Sequence, residues 1–119
     1  MYGKIAMDHF LHPRHAGVLQ GAGVGRGEAT NADCGDTATV TVRADNGRIA
    51  EARFASTGCA GAIAACSAVA EWLVGKAVIE AVGVDAAVVD GHLGGLPEAK
   101  QACADMAARA AAAAVRALP

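Results

Sequence analysis

The sequence predicts an α+β protein, with a small antiparallel sheet of two to three strands packed against helices from the C-terminal half. Three observations carry that expectation. Residues 37–55 alternate polar and apolar side chains around an Asp45-Asn46-Gly47 turn, residues 62–74 are apolar almost throughout, and residues 97–118 form an alanine-rich run with its charges on one side. At 119 residues, 54% apolar and 18% charged, the chain can bury one core and reads as a single domain over residues 1–119.

Residues 3–12 read as a short amphipathic helix with Ile5, Ala6 and Phe10 on one side, ending before Pro13 because the residue preceding a proline disfavours helix. Residues 21–36 contain Gly21, Gly23, Gly25, Gly27 and Gly35 without a helical period, and read as loop with at most a short edge strand. Residues 37–43 alternate without a fault, the pattern of a strand with one wet face. Asn46-Gly47 readily takes the positive backbone angles of a tight turn, and alternation resumes through Ala50, Ala52 and Phe54, which makes a hairpin.

After Phe54 the period changes. Gly58-Cys59-Ala60-Gly61 is an elbow, and residues 62–74 carry polar side chains only at Ser67 and Glu71, four apart on one narrow stripe, so this helix is mostly buried. Gly75 is placed to end it. Residues 76–96 read as one or two short helices broken at Gly83, Gly91, Gly94 and Gly95. Pro97 suits a first helical turn and Glu98 the positive end of a helix dipole, opening a helix that runs to Leu118. At about 100° per residue Glu98, Asp105, Arg109 and Arg116 share one face, and Cys103, Ala107, Ala110 and Ala114 fall roughly opposite, so Cys103 points inward.

Composition excludes several functions. Thirty-one alanines against four aromatics (Tyr2, Phe10, Phe54, Trp72) give a core of small side chains and no aromatic binding platform. A net charge of -2 with scattered Lys and Arg supplies no basic field, so no nucleic acid partner is expected. The most apolar stretch, residues 60–74, is too short to span a bilayer and contains Glu71, so no membrane partner is expected either. The first ten residues lack the basic-then-apolar layout of a secretory signal, which points to a cytoplasmic protein. Its four cysteines are then thiols or metal ligands rather than a disulfide frame.

Cys34 lies in the glycine-rich stretch before the first strand, Cys59 at the elbow, and Cys103 early in the last helix. Such junctions can converge in space. A thiolate at Cys59 is favoured by the helix start behind it. Asp36, two residues after Cys34, adds a carboxylate, and three soft sulfurs with one hard oxygen make a four-ligand set for zinc or iron. With no C-x-x-C pair, spacing alone leaves open both a shared metal site and separately buried thiols. His12 and His15 flank Pro13-Arg14 without a thiol or carboxylate spaced to join them, so they read, like His9 and His92, as surface or capping residues.

Five motifs occur in order: DHFxxPRxxG (8–17), ADCGD (32–36), GCAGAIAACS (58–67), EWLVGK (71–76) and LPxxKxxC (96–103). Over essentially its whole length the chain resembles the iron-sulfur cluster assembly scaffold family of IscU and the N-terminal domain of NifU. The resemblance implies a SufE/NifU-like fold in which Cys34, Cys59 and Cys103 hold a transient 2Fe-2S cluster, while Asp36 beside it keeps it labile. It also implies iron as the metal, a cysteine desulfurase that delivers sulfur to Cys103, a ferredoxin-type electron donor, and apo iron-sulfur proteins as recipients. A carrier of this kind is not an enzyme with its own turnover. Leu96, Pro97 and Lys100 match in part the family's segment for a heat-shock chaperone, with Glu98 and Ala99 in place of proline and valine. Nothing resembles the further domains of longer NifU proteins, so a stand-alone module is expected.

Two departures follow. Ala102 stands where the family places a histidine, so either Asp36 closes the ligand set, as in the zinc-holding SufU branch, or an outside ligand does. That branch carries a middle insertion that this chain lacks. Cys66 replaces a small hydroxyl residue and lies about 10.5 Å from Cys59 along a helix, so the two share a metal only if the elbow folds back; by the burial tendency of cysteine it reads as a buried structural thiol, with a reserve sulfur carrier as the alternative. Two alternatives accompany the scaffold reading. One is a zinc-bound sulfur acceptor that stimulates a desulfurase; the other, disfavoured by the cysteine spacing, is a thiol redox protein.

Overall fold

A computed structural model describes residues 2–119. Its sheet is an antiparallel meander of β1 (Val24–Asn31), β2 (Asp36–Asp45) and β3 (Arg48–Ser56), in that spatial order. Asn46 and Gly47 both have positive φ, as the tight β2–β3 turn requires. The helices are α1 (Lys4–Leu11), α2 (Ala60–Leu73), α3 (Val78–Ala81), α4 (Ala86–His92) and α5 (Gln101–Arg116), the last preceded by a 3₁₀ turn over Glu98–Lys100. The expected α+β class, hairpin and buried helix are all present.

The first strand extends the sequence reading, which gave residues 21–36 as loop with at most a short edge strand: β1 is an edge strand of eight residues. Strand β1 pairs with β2 over eight residues, and its inward positions are Gly25, Gly27 and Ala29. A Cβ on Gly25 would overlap the Ala114 carbonyl oxygen, and one on Gly27 would overlap the Ala110 oxygen and the Ala114 nitrogen. The glycines are there because the α5 backbone lies directly on the strand. Ala107, Ala110, Ala111 and Ala114 form that close-packed side of α5, while Asp105, Arg109 and Arg116 stay in water. Arg109 reaches back to donate to the Thr30 carbonyl at 3.0 Å.

Three further expectations are adjusted. The last helix begins at Gln101, because the segment after Pro97 takes a separate 3₁₀ turn. On α1 the buried face is Ala6 and His9, and Ile5 is exposed. The Ser67–Glu71 stripe on α2 is wet only at Glu71: Ser67 is fully buried beneath α1, where its Oγ meets His9 Nδ1 at 2.8 Å and accepts the Arg14 main-chain N–H at 2.8 Å. His9 is therefore a core residue rather than a surface one. Burial pushes its imidazole below the ordinary histidine value, assisted by the Arg14 charge and opposed by Glu71.

Strand β2 buries Ala38, Val40 and Val42 on its inner face, and Thr41 on the other face is covered by residues 16–20, with the Leu19 N–H donating to its Oγ1 at 3.0 Å. The outer edge of β3 is occupied at both ends. Phe54 exchanges main-chain hydrogen bonds with His15 and Gly17, and Ile49 does so with Gly75 and Lys76. Among the described residues no helix is long and apolar enough to cross a membrane.

Candidate metal centre

The site is built at one end of the sheet from the β1–β2 turn and the starts of two helices. In the turn, Asn31 Oδ1 accepts the Asp33 N–H at 3.1 Å, the Asn31 carbonyl accepts the Gly35 N–H at 2.8 Å, and Gly35 has φ +73, a left-handed conformation that favours glycine. This holds Cys34 exposed at the tip and places Asp36 as the first residue of β2. Asp36 lies against Gly58, where a Cβ would come within 3.0 Å of its Oδ2.

Cys59 is the N-cap of α2 and is exposed. Cys103, in the first turn of α5, is 3% exposed and lies across Gly61, where a Cβ would sit 3.4 Å from its Sγ. Cys34, Asp36, Cys59 and Cys103 line one cleft of about 330 Å³ together with Asn31, Asp33, Ala99, Lys100 and Ala102. All four residues singled out from the sequence therefore face the same cavity. No three of their donor atoms, however, lie within 4.8 Å of one another. Ala102 is on the exposed rim, so the position where the family places a histidine opens onto the cleft without supplying a ligand.

The Cys59 and Cys103 thiols differ. Burial works to raise the Cys59 pKa, but hydrogen bonds from the Ala62 and Gly61 backbone and from Lys100 Nζ at 3.5 Å outweigh it and hold the thiol below its ordinary value. Burial pushes Cys103 up to about 11, and the neighbouring Cys59 charge adds to it. Cys66 is fully buried and pushed up to about 12 by desolvation, the surroundings of a core thiol. Sequence reasoning tied Lys100 to a chaperone and missed it as the cation of the cleft, although its place three residues before Cys103, one helical turn, was the available signal.

Before the 3₁₀ turn, Leu96 is buried, and its N–H donates to Asp90 Oδ1 at 2.7 Å. Gln101 Nε2 donates to the same oxygen at 3.0 Å and to the Leu96 carbonyl at 2.9 Å, so Asp90 of α4 fixes the turn that leads into Cys103.

The NifU-like N terminal domain family matches residues 1–119. The iron-sulfur cluster assembly scaffold protein IscU 1 of Archaeoglobus fulgidus is 38% identical over 110 residues, covering 92% of this chain and 71% of its own. Among solved structures, a hypothetical protein at 2.3 Å resolution superposes with a TM-score of 0.72 at 26% identity, covering 94% of both chains. A putative SUF-system scaffold, FiSufU of Fervidobacterium islandicum AW-1, does so with a TM-score of 0.59 at 28% identity over 66% of this chain and 57% of that one.

Proposed function

The chain belongs to the NifU-like N-terminal domain family, and from that premise we propose that it is a scaffold on which an iron-sulfur cluster is assembled and from which it is handed on. One observation carries the reading: three thiols and a carboxylate, from a sheet turn and two helix starts, line a single open cleft. Cys34, Asp36, Cys59 and Cys103 are the proposed ligands, and the 2Fe-2S cluster is cargo. The chain is a carrier, not an enzyme. Four free thiols suit the reducing cytoplasm, where we place it.

The donor set, three soft thiols and one carboxylate, suits iron or zinc. Zinc held as in a SufU-type sulfur acceptor is the second reading, favoured by the missing histidine at Ala102.

Sulfur arrives as a persulfide on a cysteine desulfurase. A scaffold thiolate attacks its outer sulfur, forming a new S–S bond and releasing the desulfurase thiolate, and two electrons from a ferredoxin-type donor then reduce that sulfur to sulfide. Reception at Cys103 requires the start of α5 to uncover it; Cys59, beside it, is the readier thiolate while α5 stays closed. Apo iron-sulfur proteins are the recipients. A heat-shock chaperone docking at Leu96, Pro97 and Lys100 would have to release the Asp90 clamp, since Leu96 is buried beneath it.

Anaerobic incubation with iron, cysteine and a desulfurase tests the reading. Visible cluster absorption, lost in Cys34→Ser, Cys59→Ser and Cys103→Ser, is expected, and Asp36→Ala should keep the cluster but slow its transfer. Tight zinc without cluster bands would overturn the scaffold in favour of the zinc reading.

A further inference from the structure

A second cluster of ligand atoms lies away from the cleft. His9 of α1, Glu71 of α2 and His92 at the end of α4 bring ligand atoms within 4.8 Å of one another, and they are the only such His, Cys, Asp or Glu group among the described residues. Glu71 is twelve residues beyond Cys59 on the same helix, about 18 Å along its axis. The cluster is therefore separate from the thiol site and does not rest on the scaffold reading.

We propose that His9, Glu71 and His92 form a binding site for a divalent transition-metal ion of the zinc class. Glu71 Oε1 lies 2.7 Å from His92 Nε2 and 3.5 Å from His9 Nε2. Ligands around a tetrahedral zinc with bonds of about 2.0–2.1 Å are roughly 3.4 Å apart, so small side-chain shifts admit the ion. His9 is buried and its other nitrogen, Nδ1, is fixed by Ser67 Oγ at 2.8 Å. That outer hydrogen bond orients a metal-binding imidazole: with the proton on Nδ1, the Nε2 lone pair faces the carboxylate. The two rings, 5.9 Å apart at 60°, do not stack.

Glu71 and His92, with side chains 40% and 31% exposed, form the open side, where water completes the coordination. Two imidazoles and one carboxylate suit zinc, cobalt or nickel rather than calcium. Arg14 stands at the rear, its Nε 3.8 Å from Glu71 Oε2 and its other end on Asp8, which leaves Oε1 to the imidazoles. Its positive charge weakens the site relative to one without a neighbouring cation. A bound ion would join α1, α2 and α4.

The test uses the full chain carrying Cys34→Ser, Cys59→Ser and Cys103→Ser, which removes the thiol site, titrated with zinc alone by calorimetry. One zinc per chain is expected, weakened at least about tenfold by adding His92→Ala or Glu71→Gln, both at partly exposed positions that leave the core intact. Nitrogen NMR of the thiol-free protein should show zinc-dependent shifts at the Nε2 atoms of His9 and His92, without any substitution at the site. Absence of saturable binding, binding that His92→Ala leaves unchanged, or unmoved imidazole signals would overturn the proposal.

Discussion

Cys59 and Cys103 carry the same functional group and sit in contact, yet their surroundings drive them in opposite directions. One is exposed at a helix start with Lys100 beside it, and the other is enclosed and faces its neighbour's charge. Iodoacetamide at neutral pH should therefore label Cys34 and Cys59 first, Cys103 much more slowly, and Cys66 only on unfolding, as peptide mass spectrometry would record. Prompt labelling of Cys103 would mean that the start of α5 is open at rest. The helix-start effect on Cys59 was legible in the sequence because it needs only local structure. The inward side of Cys103 was legible too, from the helical spacing of the charges opposite it, whereas the role of Lys100 was not, because it depends on where Asp90 and Gln101 anchor the turn before α5. His9 was misread for a similar reason: its buried partner, Ser67, is 58 residues away.

At the scale of elements, β1 and α5 are joined by the absence of side chains. Gly27→Ala places a methyl group into the α5 backbone, and since neither helix nor strand can yield, the cost should reach about 3 kcal/mol in a denaturant titration. A change below about 0.5 kcal/mol would show that α5 can shift away from the strand. This seam explains why the sequence reading allowed β1 only as a short edge strand within a loop. A strand is recognised by large apolar residues at alternate positions, and here those positions hold Gly25, Gly27 and Ala29. The alternation survived only on the wet face, in Arg26, Glu28 and Thr30. Strands β2 and β3 and helix α2 were legible because Val40, Val42, Ile49, Phe54 and Leu73 fill their inward positions in the usual way.

For the molecule as a whole, the thiol cleft spans two layers, with Cys34 and Asp36 on the sheet and Cys59 and Cys103 on helices. An ion bound across it should therefore stabilise the folded chain rather than one loop. Zinc at a hundred times its dissociation constant would add about 2.7 kcal/mol, read as a higher melting temperature. The part of the rise due to the cleft should vanish in the variant lacking Cys34, Cys59 and Cys103, while any rise that remains belongs to the histidine cluster. A rise that the triple substitution leaves unaltered would remove the cleft cysteines from metal binding. The convergence of these residues was legible in outline, because all lie at element junctions. The distances between them were not, since they depend on how closely the glycine-lined strand and the alanine-lined helix approach.

The covered edge of β3 has a consequence for solubility. A three-stranded sheet has two edges, and an unpaired edge offers its backbone to any other strand, the usual route to aggregation. In this chain residues 15–17 and 75–76 already occupy hydrogen-bonding positions along β3, and β1 at the opposite edge bears Arg26 and Glu28. The ends of β3 are therefore closed to strand addition, which leaves only the short stretch between Ile49 and Phe54 without an outer main-chain partner.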